Sequence, residues 1–369
     1  GDGLTPRAIG QMLDLGLTDW LSERARNTGL RAAGFGQELY LPWPGGSLPD
    51  HGSASPRMVL DARLREVALA AGARPLDGHR AVGVEHSYGG RVEAVTFRTA
   101  AGRTRRVRCD RLVVADGARS QMGRHLGRVW HRDTAYGVAA RGYIASGRSD
   151  DEWISSHLEL RGDDGKILSG YGWVFPLADG TVNVGVGTLA TEKRPANVNL
   201  RQLLQHYTES QRGTWEFTGD VQAAASALLP MGGAVSGVAG PNWVLVGDAA
   251  GCVNPLNGEG IDYGLETGRL AAQILMDNPG ADLSALWPAL LRHHYGEAFS
   301  IARRLAGLIT VPHLLPALGP LGMRSRTAMS IALRVMGNLV TPEDADRVAR
   351  TWRRAGRWST RLDHRPPFS

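Results

Sequence analysis

The sequence predicts a mixed α/β fold: a Rossmann-like α/β lobe interleaved with an antiparallel-sheet lobe and followed by a helical C-terminal cap. Three observations predict it. Two short apolar runs, Leu112-Val113-Val114-Ala115 and Trp243-Val244-Leu245-Val246, end in Asp-Gly and Gly-Asp and lead into helix starts, as buried parallel strands do. Between them, residues 136–188 are rich in β-branched and aromatic residues punctuated by glycine, which is the pattern of antiparallel strands. Beyond Gly258 the chain is mostly at helical spacing.

Taken in order, residues 6–17 and 19–26 read as short helices and residues 30–40 as extended chain. Pro56 and Arg57 open an amphipathic helix carrying Leu60, Leu64 and Val67, which ends near Gly72. Strand candidates follow at 81–85, 92–98, 105–109 and 111–115. Residues 199–207 read as a helix and 243–248 as a second buried strand. A glycine-rich turn then leads into a long helix over about 258–276. This order gives a first α/β part over residues 1–125 and an antiparallel-sheet part over 126–235. The α/β lobe resumes over 236–300, and a helical region spans 301–369.

At 369 residues with 43% hydrophobic and 21% charged, the chain has the composition of a folded protein and not of a disordered one. Cys109 and Cys252 stand far apart with no CxxC, so neither a disulfide framework nor a zinc site is expected, and a reducing compartment is. No apolar run is long enough to span a bilayer, and no signal peptide is visible. The opening Gly1-Asp2-Gly3-Leu4 lacks a Met, so a fragment or trimmed product is expected. Residues 301–369 hold twelve Arg against Glu343, Asp344, Asp346 and Asp363, while the whole chain is only +6, so the basic character belongs to the tail.

The most informative segment runs from Val246 to Ile261: Val-Gly247-Asp248-Ala-Ala-Gly-Cys-Val-Asn-Pro255-Leu-Asn-Gly258-Glu-Gly260-Ile261. A buried strand delivers Asp248 at its C-terminal end, where open α/β sheets bind ligands and a carboxylate can accept hydrogen bonds from sugar-like hydroxyls. The turn through Pro255, Gly258 and Gly260 allows close backbone approach and opens a helix whose N-terminus favours negative charge. A bare Gly-Asp would read as an N-capping turn; the ordered Pro and Gly-x-Gly make it more.

This string resembles the second flavin-binding signature of the FAD oxidoreductases that include aromatic hydroxylases and geranylgeranyl reductases. The chain as a whole is similar to the geranylgeranyl reductase type. The resemblance implies an FAD-binding domain of the aromatic-hydroxylase type around a substrate sheet. It also implies that Asp248 meets the ribityl or ribose hydroxyls, that Gly260 and Ile261 meet the ring edge, and that Gly247 and Gly258 belong to the same cofactor site. Asp116-Gly117, continued by Ala118-Arg119-Ser120, resembles the family's Asp-Gly element beside the FAD pyrophosphate, and Arg57 matches an arginine that contacts FAD. Gly1-Asp2-Gly3-Leu4 matches the end of a Cys-Gly-x-Gly-Leu element that lines the flavin. The cysteine and the dinucleotide fingerprint of a first βαβ unit would lie upstream of Gly1. A Gly-x-Gly-x-x-Ala at Gly185 to Ala190 lacks the βαβ context of a Rossmann loop. Together with Tyr171-Gly-Trp173-Val-Phe175-Pro176, Gly185 and Gly187 instead resemble the family's substrate-cavity signature. Strand alternation puts the three aromatic rings on one face, and with glycines opposite they would form a flat slot for a prenyl chain.

The resemblance implies flavin-dependent reduction of an isolated C=C bond in a polyprenyl chain, with one isoprene unit of menaquinone as the expected target. It points to no catalytic acid and to no metal. An aromatic-ring monooxygenase and a non-catalytic quinone-binding protein at a membrane surface are the alternatives. The partners implied are a polyprenyl quinone or other isoprenoid and an electron donor. Residues 301–339 carry Arg303, Arg304, Arg324, Arg326 and Arg334 and no carboxylate among many aliphatics. That pattern suits an anionic membrane surface better than nucleic acid and predicts a peripheral protein on the cytoplasmic face of the membrane, or a cytoplasmic one.

Overall fold

The computed structural model describes residues 2–369. Its centre is a seven-stranded sheet in the order Phe217–Leu229, Tyr136–Ser146, Thr181–Ala190, Gly170–Pro176, Trp153–His157, Gly29–Gly34 and Gln37–Pro42. All neighbours are antiparallel except Trp153–His157 and Gly29–Gly34, which run parallel. The hairpin Gly29–Pro42, which the sequence reading grouped with the first α/β part, therefore hydrogen-bonds into the substrate sheet. Helix Leu200–Trp215 covers one face of this sheet, burying Leu203, Leu204, Tyr207 and Trp215 against Val184, Val186 and Ile144.

Two features escaped the sequence pattern. The 13-residue strand Phe217–Leu229 forms the sheet's outer edge although its middle reads Ala-Ala-Ala-Ser-Ala. Such residues carry little strand propensity, and pairing to Tyr136–Ser146 supplies what the side chains do not. Within the expected helix at 19–26, the helix ends at Ser22 and Ala25–Asn27 becomes a strand, because Gly52–Ala54 offers it an antiparallel partner.

The α/β lobe holds the two apolar runs as adjacent parallel strands, Leu112–Val114 and Trp243–Leu245, with Val114 level with Leu245. Helices Ile261–Asp277 and Leu283–Ile309 pack against them around Trp243, Leu245, Trp287, Leu291 and Phe299. An antiparallel meander of His79–His86, Val92–Thr99 and Thr104–Arg108 lies alongside. The C-terminal region is helical: Leu314–Met323, Arg326–Met336 and Arg347–Thr360 follow one another. No single helix among the described residues is long and apolar enough to cross a membrane; only the pair Leu283–Ile309 and Leu314–Met323, bent by 109°, meets that test together.

Candidate functional site

The parallel pairing sets Asp116 and Asp248 just past the C-terminal ends of neighbouring strands, at the edge where α/β sheets bind ligands. They are used differently. Asp116 Oδ2 accepts from the Met122 amide (2.8 Å) and, with Ser120 Oγ, caps helix Gln121–His125. Gly117 beside it has φ +74° and open space around it, so its backbone stays approachable. Asp248 lies on a short 3₁₀ turn, Gly247–Ala250, whose Gly247 (φ +55°) donates to Thr267 Oγ1. Its carboxylate accepts no hydrogen bond among the described residues. Burial raises the Asp248 pKa, against the opposing pull of Arg57 and Arg128.

Helix Ile261–Asp277 begins at the same spot. Gly260 is its N-cap and supplies no side-chain cap, and the amides of Gly260, Ile261 and Asp262 find no acceptor among the described residues. A β-carbon on Gly260 would stand 3.0 Å from Asp248 Oδ1, so a side chain there would crowd the carboxylate. Among the described residues an unpartnered carboxylate thus lies beside Gly260, where a helix begins with three unpartnered amides at its positive end. Together they complement a ligand presenting hydroxyl donors and, next to them, an electron-rich acceptor edge. A flavin with its ribityl arm has those two features in that order.

The N-terminal strand Gly3–Leu4 pairs with Gly52–Ala54 and runs past the aromatic row. Asp2 is fully buried; its Oδ2 accepts from Asn183 Nδ2 (2.9 Å), and Asn183 Oδ1 accepts from Trp173 Nε1 (2.7 Å). Gly3 lies against Phe175, at 3.0 Å from where its β-carbon would be. Gly1 lies outside the described residues. Tyr171, Trp173 and Phe175 share one sheet face as alternation requires, with ring centroids 5.8 and 6.1 Å apart, while Gly172 and Val174 face helix Leu200–Trp215. Tyr171 donates its hydroxyl to the Asn257 carbonyl, which ties the row to the turn before Gly258. Pro176 ends the strand, buried.

The glycines opposite the row behave differently from the expected open slot. Trp173 pairs with Gly185, and its indole covers that glycine so closely that a β-carbon there would fall 2.1 Å from Cζ2. Gly187, paired with Tyr171, leaves 3.5 Å to the same ring. Gly185 is a seat for Trp173 and not a free wall.

Arg57 forms a partly exposed fork with Asp61 (both bonds 3.0 Å), while its backbone lies within hydrogen-bonding reach of Tyr143. The sequence reading missed Arg128, 7% exposed, whose Nε donates to Ala249 O (2.6 Å) and Nη2 to Ala118 O (3.3 Å). It clamps the Asp116 loop to the Asp248 turn, and nothing in its local sequence signals this. Asn183, also missed, did leave a signal, as a lone amide in the apolar strand Thr181–Ala190. A cleft of about 860 Å³ lies elsewhere, between the meander and helix Gln121–His125, and includes no motif residue.

The arginines at 301–339 divide between internal partners and the surface. Arg303 is buried, donating to Gly232 O (2.6 Å), and burial pulls its pKa down to about 10. Arg304 pairs with Asp363, and Arg334 with Asp344 and Asp346. Arg324 and Arg326 remain exposed on the surface.

Comparison with known proteins agrees with this geometry. The FAD binding domain family matches residues 1–277. Menaquinone reductase of Mycolicibacterium smegmatis is 58% identical over all 369 residues, which cover 89% of that protein; the Mycobacterium tuberculosis menaquinone reductase is 57% identical over the same extent. A solved geranylgeranyl bacteriochlorophyll reductase-like protein from Thermoplasma acidophilum superposes with a TM-score of 0.73 at 21% identity, over 92% of this chain and 88% of that one. With the FAD-binding match over most of its length and these relatives across all of it, the chain belongs to the FAD-dependent oxidoreductases of the geranylgeranyl reductase family.

Proposed function

We propose that this protein saturates one isolated C=C bond in the polyprenyl side chain of menaquinone. The observation that carries the reading is the meeting of two half-sites. The unpartnered Asp248 carboxylate and the Gly260–Asp262 amides stand at one end, and the Tyr171–Trp173–Phe175 row, joined to them through Tyr171 and Asn257, stands at the other. Full-length identity to menaquinone reductases supports the substrate.

Asp248 would hold the ribityl hydroxyls, and the amides of Gly260 and Ile261 the N1/O2 edge. Asp2 and Gly3 would line the ring. Gly117, next to Asp116, would face the pyrophosphate, and Arg57, whose charge acts on Asp248, would contact the FAD. Bound and reduced, FAD supplies hydride. The protein's own part is to orient the alkene, keep water out and answer the positive charge that develops on an unactivated double bond. The Tyr171 and Trp173 π-faces suit that last task. Leu308, Leu318, Leu321 and Ile331 are exposed on three consecutive helices beside Arg324 and Arg326, and we place this face against an anionic membrane that holds the substrate, on its cytoplasmic side.

The test uses FAD-loaded protein, chemically reduced without oxygen and mixed with menaquinone. The flavin absorbance should return as the quinone's side chain loses one double bond. Return of the absorbance with the side chain untouched and the ring reduced instead would overturn the reading.

A further inference from the structure

Alkene saturation consumes a proton as well as a hydride, and the roles assigned so far, with Asp2 and Asp248 holding the flavin, leave the proton donor unnamed. Glu259, between Gly258 (φ +75°) and Gly260, is placed to be one. Its Oε1 accepts from Thr5 Oγ1 (2.6 Å), and Thr5 directly follows the strand that runs past Phe175. Its amide donates to Asn257 Oδ1, on the same residue whose carbonyl holds the Tyr171 hydroxyl. The carboxyl thus lies where the aromatic row, the N-terminal strand and the open helix end converge.

Its protonation follows from its neighbours. Asp262 and Glu266, four residues apart and buried, share one face of the first helical turns, and Glu259, just before the N-cap Gly260, has its Oε2 shut off from solvent with the Asp262 charge acting on it. Among the described residues the cation paired to this cluster is Arg7, 3.6 Å from Glu266, and its other donors are committed to the carbonyls of Asn338 and Val340. One guanidinium does not balance three buried anions, so a proton must stay in the cluster. Asp262 is bonded as an anion: Oδ2 accepts from Asn338 Nδ2 (2.9 Å) and Oδ1 from the Tyr263 amide (2.8 Å). Glu266 faces Arg7. Among the described residues neither Glu266 Oε2 nor Glu259 Oε2 has a hydrogen-bond partner, but Glu266 has the Arg7 charge 3.6 Å away, so the Glu259 oxygen is the one that suits a carboxylic O–H with its proton still to give. Burial and the negative charge of Asp262 both push the Glu259 pKa well up, more than Thr5, Asn257 and Arg7 hold it down.

A route for replacement protons is also built in. A cavity of about 210 Å³ lined by Arg7, Tyr263, Glu266, His294 and Asn338 reaches the surface beside the exposed His293 and His294. Asn338 joins that cavity to Asp262, whose charge in turn acts on Glu259.

We propose that Glu259 is the proton donor to the alkene, and that Glu266 and Asp262 return a proton to it from the His294 cavity. This rests on the prenyl-reduction reading. In the step, the alkene π pair forms a C–H bond to the Glu259 proton and leaves Glu259 as carboxylate. The other alkene carbon receives hydride from the reduced flavin, which is thereby oxidised. One solvent proton then restores the acid.

The experiment compares FAD-loaded wild type with Glu259→Gln and Glu259→Asp. Infrared spectra at neutral pH should show a protonated-carboxyl band, shifted in D₂O and absent from Glu259→Gln. FAD affinity in that variant should stay within about threefold, while anaerobic alkene reduction by the pre-reduced protein falls about 100-fold or more, as loss of a general acid requires. Glu259→Asp, which keeps an acid, should recover part of the rate. Asp262→Asn should spare the first turnover and slow those that follow. Wild-type alkene reduction by Glu259→Gln, or no protonated carboxyl in the wild type, overturns the proposal. A wild type that reduces no alkene sinks the underlying reading and the donor role with it, while the infrared band separately reports whether the carboxyl holds a proton.

Discussion

Two neighbouring glycines give opposite expectations under one substitution. A β-carbon at position 185 would lie 2.1 Å from Trp173 Cζ2, whereas at 187 it would lie 3.5 Å from Cζ3 of the same ring, an ordinary contact. Gly185→Ala therefore has to push the indole by roughly 1 Å or more, which a well-packed interior does not absorb. The indole cannot slide freely, because Nε1 is bonded to Asn183 (2.7 Å), and Asn183 to the buried Asp2 (2.9 Å). Overpacking costs about 1–3 kcal/mol, and breaking the Trp173–Asn183 bond strands a buried amide oxygen for about 1–3 more, so about 2–5 kcal/mol is expected in all. Gly187→Ala should cost under about 1 kcal/mol, since it merely fills ordinary contact space. Urea unfolding of both variants reads the difference directly. Equal midpoints would refute the claim that Gly185 seats Trp173, and would return the pair to the open-slot reading in which both substitutions narrow a cavity without destabilising the fold.

Other perturbations read other parts of the account. Arg128→Met should lower unfolding free energy by about 2–4 kcal/mol and weaken FAD binding together, because it releases the bonds to Ala249 and Ala118 that join the two loops; a change in only one of these would separate clamp from scaffold. Burial lifts Asp262 to about 6 from its ordinary value of 3.8, so between those pH values the folded protein keeps a proton that the unfolded chain has released. That stabilisation is complete below the lower value and is lost as pH rises through about 6. It is worth up to about 3 kcal/mol, and Asp262→Asn should flatten this part of the stability–pH curve. Leu318 and Leu321 are 54% and 62% exposed, and changing both to Ser should reduce cosedimentation with anionic vesicles while leaving the unfolding midpoint in place.

Much of the geometry around Asp248 was legible in advance because its demands are written in backbone terms. Gly247, Gly258 and Gly260 mark positions that require positive φ or close approach, and Asp248 marks a strand end; such demands leave few residue choices. The aromatic face was legible for a similar reason, since alternation in a strand admits one answer. What stayed hidden depends on partners distant in sequence. Arg128 acts on carbonyls at 118 and 249, and Glu259 gains its meaning from Thr5, 254 positions away. Three of the five arginines in the basic segment spend their charge on internal partners, which composition does not reveal. The edge strand Phe217–Leu229 was invisible because its alanines obtain strand structure from pairing alone.

The most direct test of the central claim is the mass and fragmentation of menaquinone recovered after incubation with the reduced, FAD-loaded protein. The account predicts a gain of one pair of hydrogen atoms located in the side chain, lost when Asp248→Ala empties the protein of FAD. A product that has gained oxygen, or a hydrogen pair confined to the quinone ring, would contradict it.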